Sequence, residues 1–251
     1  MSLFDLTGRI ALVTGGNGGL GLAMAEALAA AGAHVAISGR RADKLAVAMD
    51  QLGPPHTSHQ VELADDAALP GLIDAVVAAH RGLDILVHNA GTSVRGAPEE
   101  LARADYEQVL AVNATAALRP SQLAYPHLCA RGGGKLIHIG SMFSHLGSPF
   151  SLPYAVSKGA VVQLTKCLAI AWAKDKIQVN AILPGWFDTE LTQGTRAHVP
   201  GLEQTICERT PAGRWGKPED LAGTVVYLAS AASNFVTGAS LVVDGGFSVC
   251  M

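Results

Sequence analysis

One run of residues restricts the fold more than any other. RIALVTG at 9–15 continues directly into GNGGLG at 16–21. A short apolar run that stops at glycine reads as a strand buried on both faces of a parallel sheet. LGLAMAEALAAAG at 20–32 then has helical spacing and a glycine stop. Glycines between such a strand and helix let the backbone turn sharply and let an anion approach the helix N-terminus. Free N–H groups and the helix dipole favour negative charge there. The order strand, glycine turn, helix is what a dinucleotide-binding turn requires, and the plain alternative is a glycine-rich loop that binds nothing.

The same alternation continues along the chain. Strands are predicted at 34–39, 56–63, 83–91, 134–141, 177–185 and 240–246, seven in all with the first. Helices are predicted at 41–53, from near Pro70 to 82, over 99–130 with an interruption near Pro120, from about 154 to 174, and at 217–231. Repeated βα units imply an α/β fold, a doubly wound, mostly parallel seven-stranded sheet with helices on both faces. We read 1–251 as one dinucleotide-binding catalytic domain. Residues 186–214, of mixed polarity between strand and helix, read as a small substrate lid.

Composition removes several functions. The chain has 251 residues, 49% hydrophobic and 16% charged, with a net charge of −3, so no general nucleic-acid surface is expected. Cys129, Cys167, Cys207 and Cys250 are far apart and show no CxxC pairing, so no metal and no disulfide framework is expected. No apolar stretch has membrane-spanning length and the first residues do not resemble a signal peptide, so no membrane partner and a cytoplasmic location are expected.

SLPYAVSKGAVVQLTKCLAIAWAK at 151–174 places Tyr154 and Lys158 one helical turn apart where an apolar helix begins. An ammonium beside a phenol favours the phenolate and lowers a pKa that is otherwise about 10. Such a phenol can exchange protons near neutral pH. A surface tyrosine beside a solvated lysine is the alternative that the pair alone leaves open.

Further motifs stand in a fixed order: Thr14-Gly15-x-x-x-Gly19-x-Gly21, HNAG at 88–91, Asn113, Ser141, Tyr154-x-x-x-Lys158 and Pro184-Gly185. Together they resemble the short-chain dehydrogenase/reductase family, from Leu6 to about Phe247. The resemblance implies catalytic roles for Asn113, Ser141, Tyr154 and Lys158. Tyr154 would be the general acid or base, Lys158 would lower its pKa and hold the nicotinamide ribose, Ser141 would bond the substrate oxygen, and Asn113 would distort its helix and hold a relay water. Gly15, Asn17, Gly19, Leu20, Gly21, Asn89, Ala90, Gly91, Tyr154, Lys158, Pro184, Gly185, Phe187 and Thr189 would line the cofactor. His88 departs from the usual asparagine and is expected to be structural.

Gly39, Arg40 and Arg41 follow the second strand. A carboxylate there would favour NAD, whereas guanidinium groups pair with a 2′-phosphate. NADP(H) is therefore favoured and NAD(H) remains possible. Glu62 is expected at the adenine, with Asp65 the alternative. Ser141, Phe143, His145, Tyr154 and Trp186 are expected around a small-molecule substrate, while Glu190, Gln193, Arg196 and His198 could bind hydroxyls or a carboxylate, or face water. ERTPAGRWGKPEDLAG at 208–223 resembles the branch of gluconate and sugar dehydrogenases and 3-oxoacyl carrier-protein reductases. A sugar, sugar acid or other small secondary alcohol or ketone is the preferred substrate. A 3-oxoacyl carrier-protein reductase and a non-catalytic dinucleotide-binding sensor or structural protein are the alternatives. The resemblance also implies a homotetramer.

Overall fold

The computed structural model describes residues 2–250, apart from the side chains at 197 and 198, so His198 lies outside the described residues as a candidate contact. The elements run β1 (Ile10–Thr14), α1 (Gly19–Ala30), β2 (His34–Gly39), α2 (Ala42–Leu52), β3 (Thr57–Gln60), α3 (Leu69–His80), β4 (Ile85–His88), α4 (Arg103–Leu110), α5 (Ala116–Ala130), β5 (Gly134–Ile139), α6 (Leu152–Trp172), β6 (Ile177–Pro184), α7 (Glu190–His198), α8 (Leu202–Arg209), α9 (Ala222–Ala229) and β7 (Ser240–Val243).

The sheet order is β3-β2-β1-β4-β5-β6-β7. All six pairings are parallel, including β6 with β7. β1 pairs with both β2 and β4, so the chain first winds outward to β3 and then returns to the other side of β1. That reversal opens a crevice beyond the carboxyl ends of β1 and β4, the standard ligand position in such sheets. β1, β4 and most of β2 are fully buried, as continuous apolar runs in a parallel sheet should be. One core joins Val13, Ile37 and Val87 to Met24 and Leu28 of α1, Leu45 of α2 and Val225 of α9. A second joins Leu12, Leu86, Leu136 and Val179 to Ile73 of α3, Leu128 of α5 and Ala169 of α6. These are the two helical layers expected of a Rossmann-like fold.

Two helical predictions need correction. The 99–130 tract breaks at a π-helical turn, Ala111–Thr115, and not at Pro120, which lies inside α5. The Asn113 side chain leaves its helix to bond Thr92, so a wider turn fits there. The 217–231 helix is shorter than expected, because Pro218–Leu221 and Ala231–Ser233 are 3-10 turns flanking α9.

Candidate active site

Two clefts share a wall of Ser141, Tyr154, Gly185, Leu191 and Thr192. The first, about 420 Å³, is lined by residues directly following six strands: Gly15, Arg40, Val61 to Leu63, Asn89 to Gly91, Gly140 and Gly185. Asn17, Gly19, Leu20, Arg41, Lys158, Pro184, Phe187 and Thr189 complete it. Gly15 has φ +64°, and a β-carbon there would lie 2.9 Å from Ala90 Cα. A β-carbon at Gly18 would meet nothing within 4 Å, so the turn is open on that side. The first turn of α1 has no side-chain cap and no acidic residue, which leaves its backbone N–H groups available to an anion. These groups fit the phosphates of a dinucleotide.

Gly21 acts differently from the expectation. It does not line the cleft; a β-carbon there would lie 2.2 Å from the Gly15 carbonyl oxygen, so its role is to let α1 pack against the turn. Gly39 is pressed against Asn17, with a β-carbon only 2.7 Å from Asn17 Cγ. Asn89 turns inward, its Nδ2 donating to the carbonyls of Thr14 at 3.2 Å and Gly15 at 3.0 Å. Of the two acidic candidates, Glu62 lines the cleft and pairs with Arg40 at 3.5 Å, whereas Asp65 caps the Ala67 N–H at 3.1 Å.

The four candidate catalytic residues come from separate elements. Ser141 follows β5 and caps the 3-10 turn Met142–Ser144, its Oγ accepting the Phe143 N–H at 3.2 Å. Tyr154 and Lys158 lie one turn apart on α6. Lys158 is buried, its Nζ donates to the Ile139 carbonyl at 2.7 Å, and it sits 5.6 Å from the Tyr154 ring centroid. Burial pulls the ammonium pKa down to about 8. Burial also pushes the Tyr154 phenol above its ordinary value, and a hydrogen bond with Ser141 opposes that. The lowered phenol expected from the spacing is therefore not what the surroundings produce: desolvation outweighs the opposing hydrogen bond with Ser141. Asn113 is buried, accepts the Thr92 N–H at 2.7 Å, and donates to the Thr92 carbonyl at 2.9 Å and Ser157 Oγ at 3.0 Å. A β-carbon at Gly91 would lie 3.3 Å from Asn113 Oδ1 and 3.4 Å from Lys158 Nζ, so both side chains converge on that glycine.

His88 lies beneath this group. It is buried, its Nδ1 is 3.3 Å from Thr14 Oγ1, and its ring meets that of His138 edge-on at 6.3 Å. Burial first, then His138 and Lys158, hold it well below the usual histidine range, so it is a neutral structural side chain.

The second cleft, about 440 Å³, opens on Ser141 and Tyr154. Its wall includes Met142, Phe143, Trp186, Leu191 and Val199, with Arg95 at the rim. Phe143 meets Tyr154 edge-on at 6.3 Å and Trp186 at 6.1 Å, and Trp186 packs on Trp215 at 5.3 Å. His145 does not join them. The 3-10 turn before it directs the chain outward, and the residue is exposed and lines neither cleft. Gln193 and Arg196 are both occupied by Asp188. Arg95 and Lys44 had no motif to mark them, because only folding brings the loop after β4 and the first turn of α2 to the clefts.

A family model described as enoyl-(acyl carrier protein) reductase matches residues 15–248. Gluconate 5-dehydrogenase of Gluconobacter oxydans is 39% identical, over 99% of this chain and 98% of its own. The 2-dehydro-3-deoxy-D-gluconate 5-dehydrogenase of Escherichia coli is 40% identical, over 98% of both chains. The crystal structure of a gluconate 5-dehydrogenase from Burkholderia cenocepacia, in complex with NADP and tartrate, superposes with a TM-score of 0.93, at 39% identity and covering 99% of this chain and 98% of that one. Likeness of this extent, on a parallel sheet with a glycine-lined crevice at its strand ends, establishes that the chain belongs to the short-chain dehydrogenase/reductase family.

Proposed function

We propose that the protein interconverts a secondary alcohol and a ketone on a small sugar acid, using NADP(H) in preference to NAD(H). The observation that carries the substrate class is Arg95. It stands at the rim of an otherwise largely apolar pocket that opens on Ser141 and Tyr154. Among the described residues it makes no hydrogen bond or ion pair. A guanidinium left unpaired beside a reaction centre is suited to bidentate capture of a carboxylate. The relatives named for gluconate and deoxygluconate support the same class.

The glycine turn at Gly15 to Leu20, Asn89 to Gly91 and Pro184 to Thr189 would hold the dinucleotide, with Arg40 and Arg41 toward a 2′-phosphate and Glu62 toward the adenine. When bound, the nicotinamide supplies the two-electron redox chemistry. In the reductive direction the Ser141 hydroxyl donates a hydrogen bond to the substrate oxygen, and the Tyr154 phenol gives that oxygen its proton. A phenol raised by burial keeps its proton until charge develops on the substrate, which suits a general acid. Lys158, anchored on the Ile139 carbonyl, keeps positive charge beside the phenolate that remains. Asn113 fixes Thr92 and Ser157 around that pair. Residues 186–214, with α7 and α8, act as the lid over the second cleft.

We read the assembly as a cytoplasmic homotetramer. The outer stripe of α6, Val156, Ala160, Gln163, Cys167 and Ile170, is exposed and has few charges, as a helix packed on a second copy would be. Among the described residues no helix is long and apolar enough to cross a membrane, and Cys129, Cys167 and Cys207 are in no disulfide.

The test is Arg95→Met, assayed with D-gluconate and with the uncharged polyol sorbitol. Losing a charge-assisted hydrogen bond should raise KM for gluconate roughly 10- to 100-fold while leaving sorbitol oxidation unchanged. An unchanged KM for gluconate would remove the argument for a carboxylate substrate.

A further inference from the structure

Three cations stand at the start of α2, beside the dinucleotide cleft, and each already has a carboxylate partner. Arg40 pairs with Glu62 at 3.5 Å and Arg41 with Asp43 at 2.7 Å. Glu62 lies just beyond β3 and lines the cleft, whereas Asp43 is on α2 itself, two residues from Arg41. Lys44 is different. Its ammonium pairs with Glu190, the first residue of α7, which lies 146 positions along the chain on the opposite wall. Both residues line the cleft, so this ion pair spans its mouth. Next to Glu190, Thr189 approaches Gly19 of the phosphate turn, 3.7 Å from a β-carbon built there.

The pair is suited to exchange. The side chains of Lys44 and Glu190 are 30% and 75% exposed, and exposed ion pairs add little net stability. A 2′-phosphate carries about −1.5 to −2 charges and three acceptor oxygens, so it competes well with one carboxylate for an ammonium. Glu190 released from Lys44 remains in the first turn of α7, where the helix dipole still favours its charge. Arg41 also acts on Glu190, helping to hold its carboxyl below the usual range after the larger effect of Lys44.

We propose that Lys44 is a cofactor-specificity residue that binds the 2′-phosphate of NADP(H), with Glu190 as its competitor within the same chain. NADP(H) takes Lys44 from Glu190 and unties α7, whereas NAD(H) leaves the strap in place. Because Leu191 and Thr192 of α7 line both clefts, the exchange passes from the cofactor end to the substrate pocket. The inference rests on the dinucleotide reading of this cleft.

The experiment titrates the wild type, Lys44→Gln, Glu190→Gln and the double variant with NADPH and with NADH, following nicotinamide fluorescence. Circular dichroism checks that each variant is folded. Lys44→Gln should weaken NADPH roughly 10-fold and leave NADH unchanged. Glu190→Gln should tighten NADPH about 2- to 5-fold, again without effect on NADH, because the competitor is gone. The double variant should fall close to Lys44→Gln, since Glu190 acts chiefly through Lys44 and only weakly on Arg41. Equal weakening of both nucleotides by Lys44→Gln would place the ammonium on the shared pyrophosphate and overturn the proposal. So would an unchanged NADPH affinity in either single variant. A wild type that binds neither nucleotide would overturn the dinucleotide reading itself.

Discussion

Lys158 carries the sharpest residue-scale consequence. Its ammonium is buried against the Ile139 carbonyl and its pKa falls from 10.5 to about 8. In the proposed mechanism, the group is charged below that pH and offsets the negative charge left on Tyr154 after proton transfer; above it, that support is lost. Reductive turnover should therefore decline as pH rises through about 8, measured as kcat against pH with saturating NADPH. Lys158→Arg, whose guanidinium stays charged, should remove that inflection from whatever activity remains. An unchanged inflection in the arginine variant would assign it to another group. The four-residue spacing made the Tyr154–Lys158 proximity readable in the chain. It did not reveal the desolvation that raises one group and lowers the other, because desolvation depends on what α6 packs against.

At the scale of elements, β3 depends on neutral histidines. His56 Nδ1 accepts the Val35 N–H of β2 at 3.0 Å, which a protonated ring could not do. Thr57 Oγ1 sits 3.2 Å from His59 Nε2 and 2.9 Å from His80 Nε2, tying β3 to the end of α3. Burial lowers His56, His59 and His80, and neighbouring histidines lower His56 and His80 further. Below the ordinary value of 6.5 the unfolded chain takes up protons that the folded chain resists, so stability falls as pH drops through that region. The melting temperature should be lower at pH 5.5 than at pH 7.5. His56→Gln, which retains an acceptor, should flatten that difference; an equally steep fall in the variant would clear this cluster. HTSHQ has little apolar alternation of its own to hold β3 in place. The sequence could not show that its polar atoms pair across elements with His80 and Val35. At Asn113 the resemblance implied a distorted helix, and a π-turn is found there; its stabilising bond runs to Thr92 and could not be read locally.

At the scale of the whole molecule, several large apolar side chains stand exposed among the described residues. Phe235, Val249 and Ile170 are 104%, 84% and 82% exposed, and Ile170 ends the apolar outer stripe of α6. Ile170→Glu should lower the mass measured by light scattering after size-exclusion chromatography, while circular dichroism stays unchanged. A variant of unaltered mass would mean that the α6 stripe is not an interface. Such a face is visible only once the inner side of α6 is known. Val161, Thr165 and Ala169 turn toward the core, which leaves Val156, Gln163 and Ile170 outside.

The chain by itself determined the architecture. Apolar strands that stop at glycine, alternating with helical tracts, can bury their surfaces only in a parallel sheet covered on both faces. It also determined which residue types stand at the ends of those strands, from the glycine turn after β1 to Ser141 after β5. The tertiary structure decided what folding alone brings together: Arg95 in the same cleft as Tyr154, Lys44 against Glu190 in the other, and His145 turned outward. The division follows the range of the interactions. Periodicity and turn chemistry act over a few residues and can be read locally. Ion pairs, burial and the titration they control depend on groups far apart in sequence, and those separations are set only when the sheet closes.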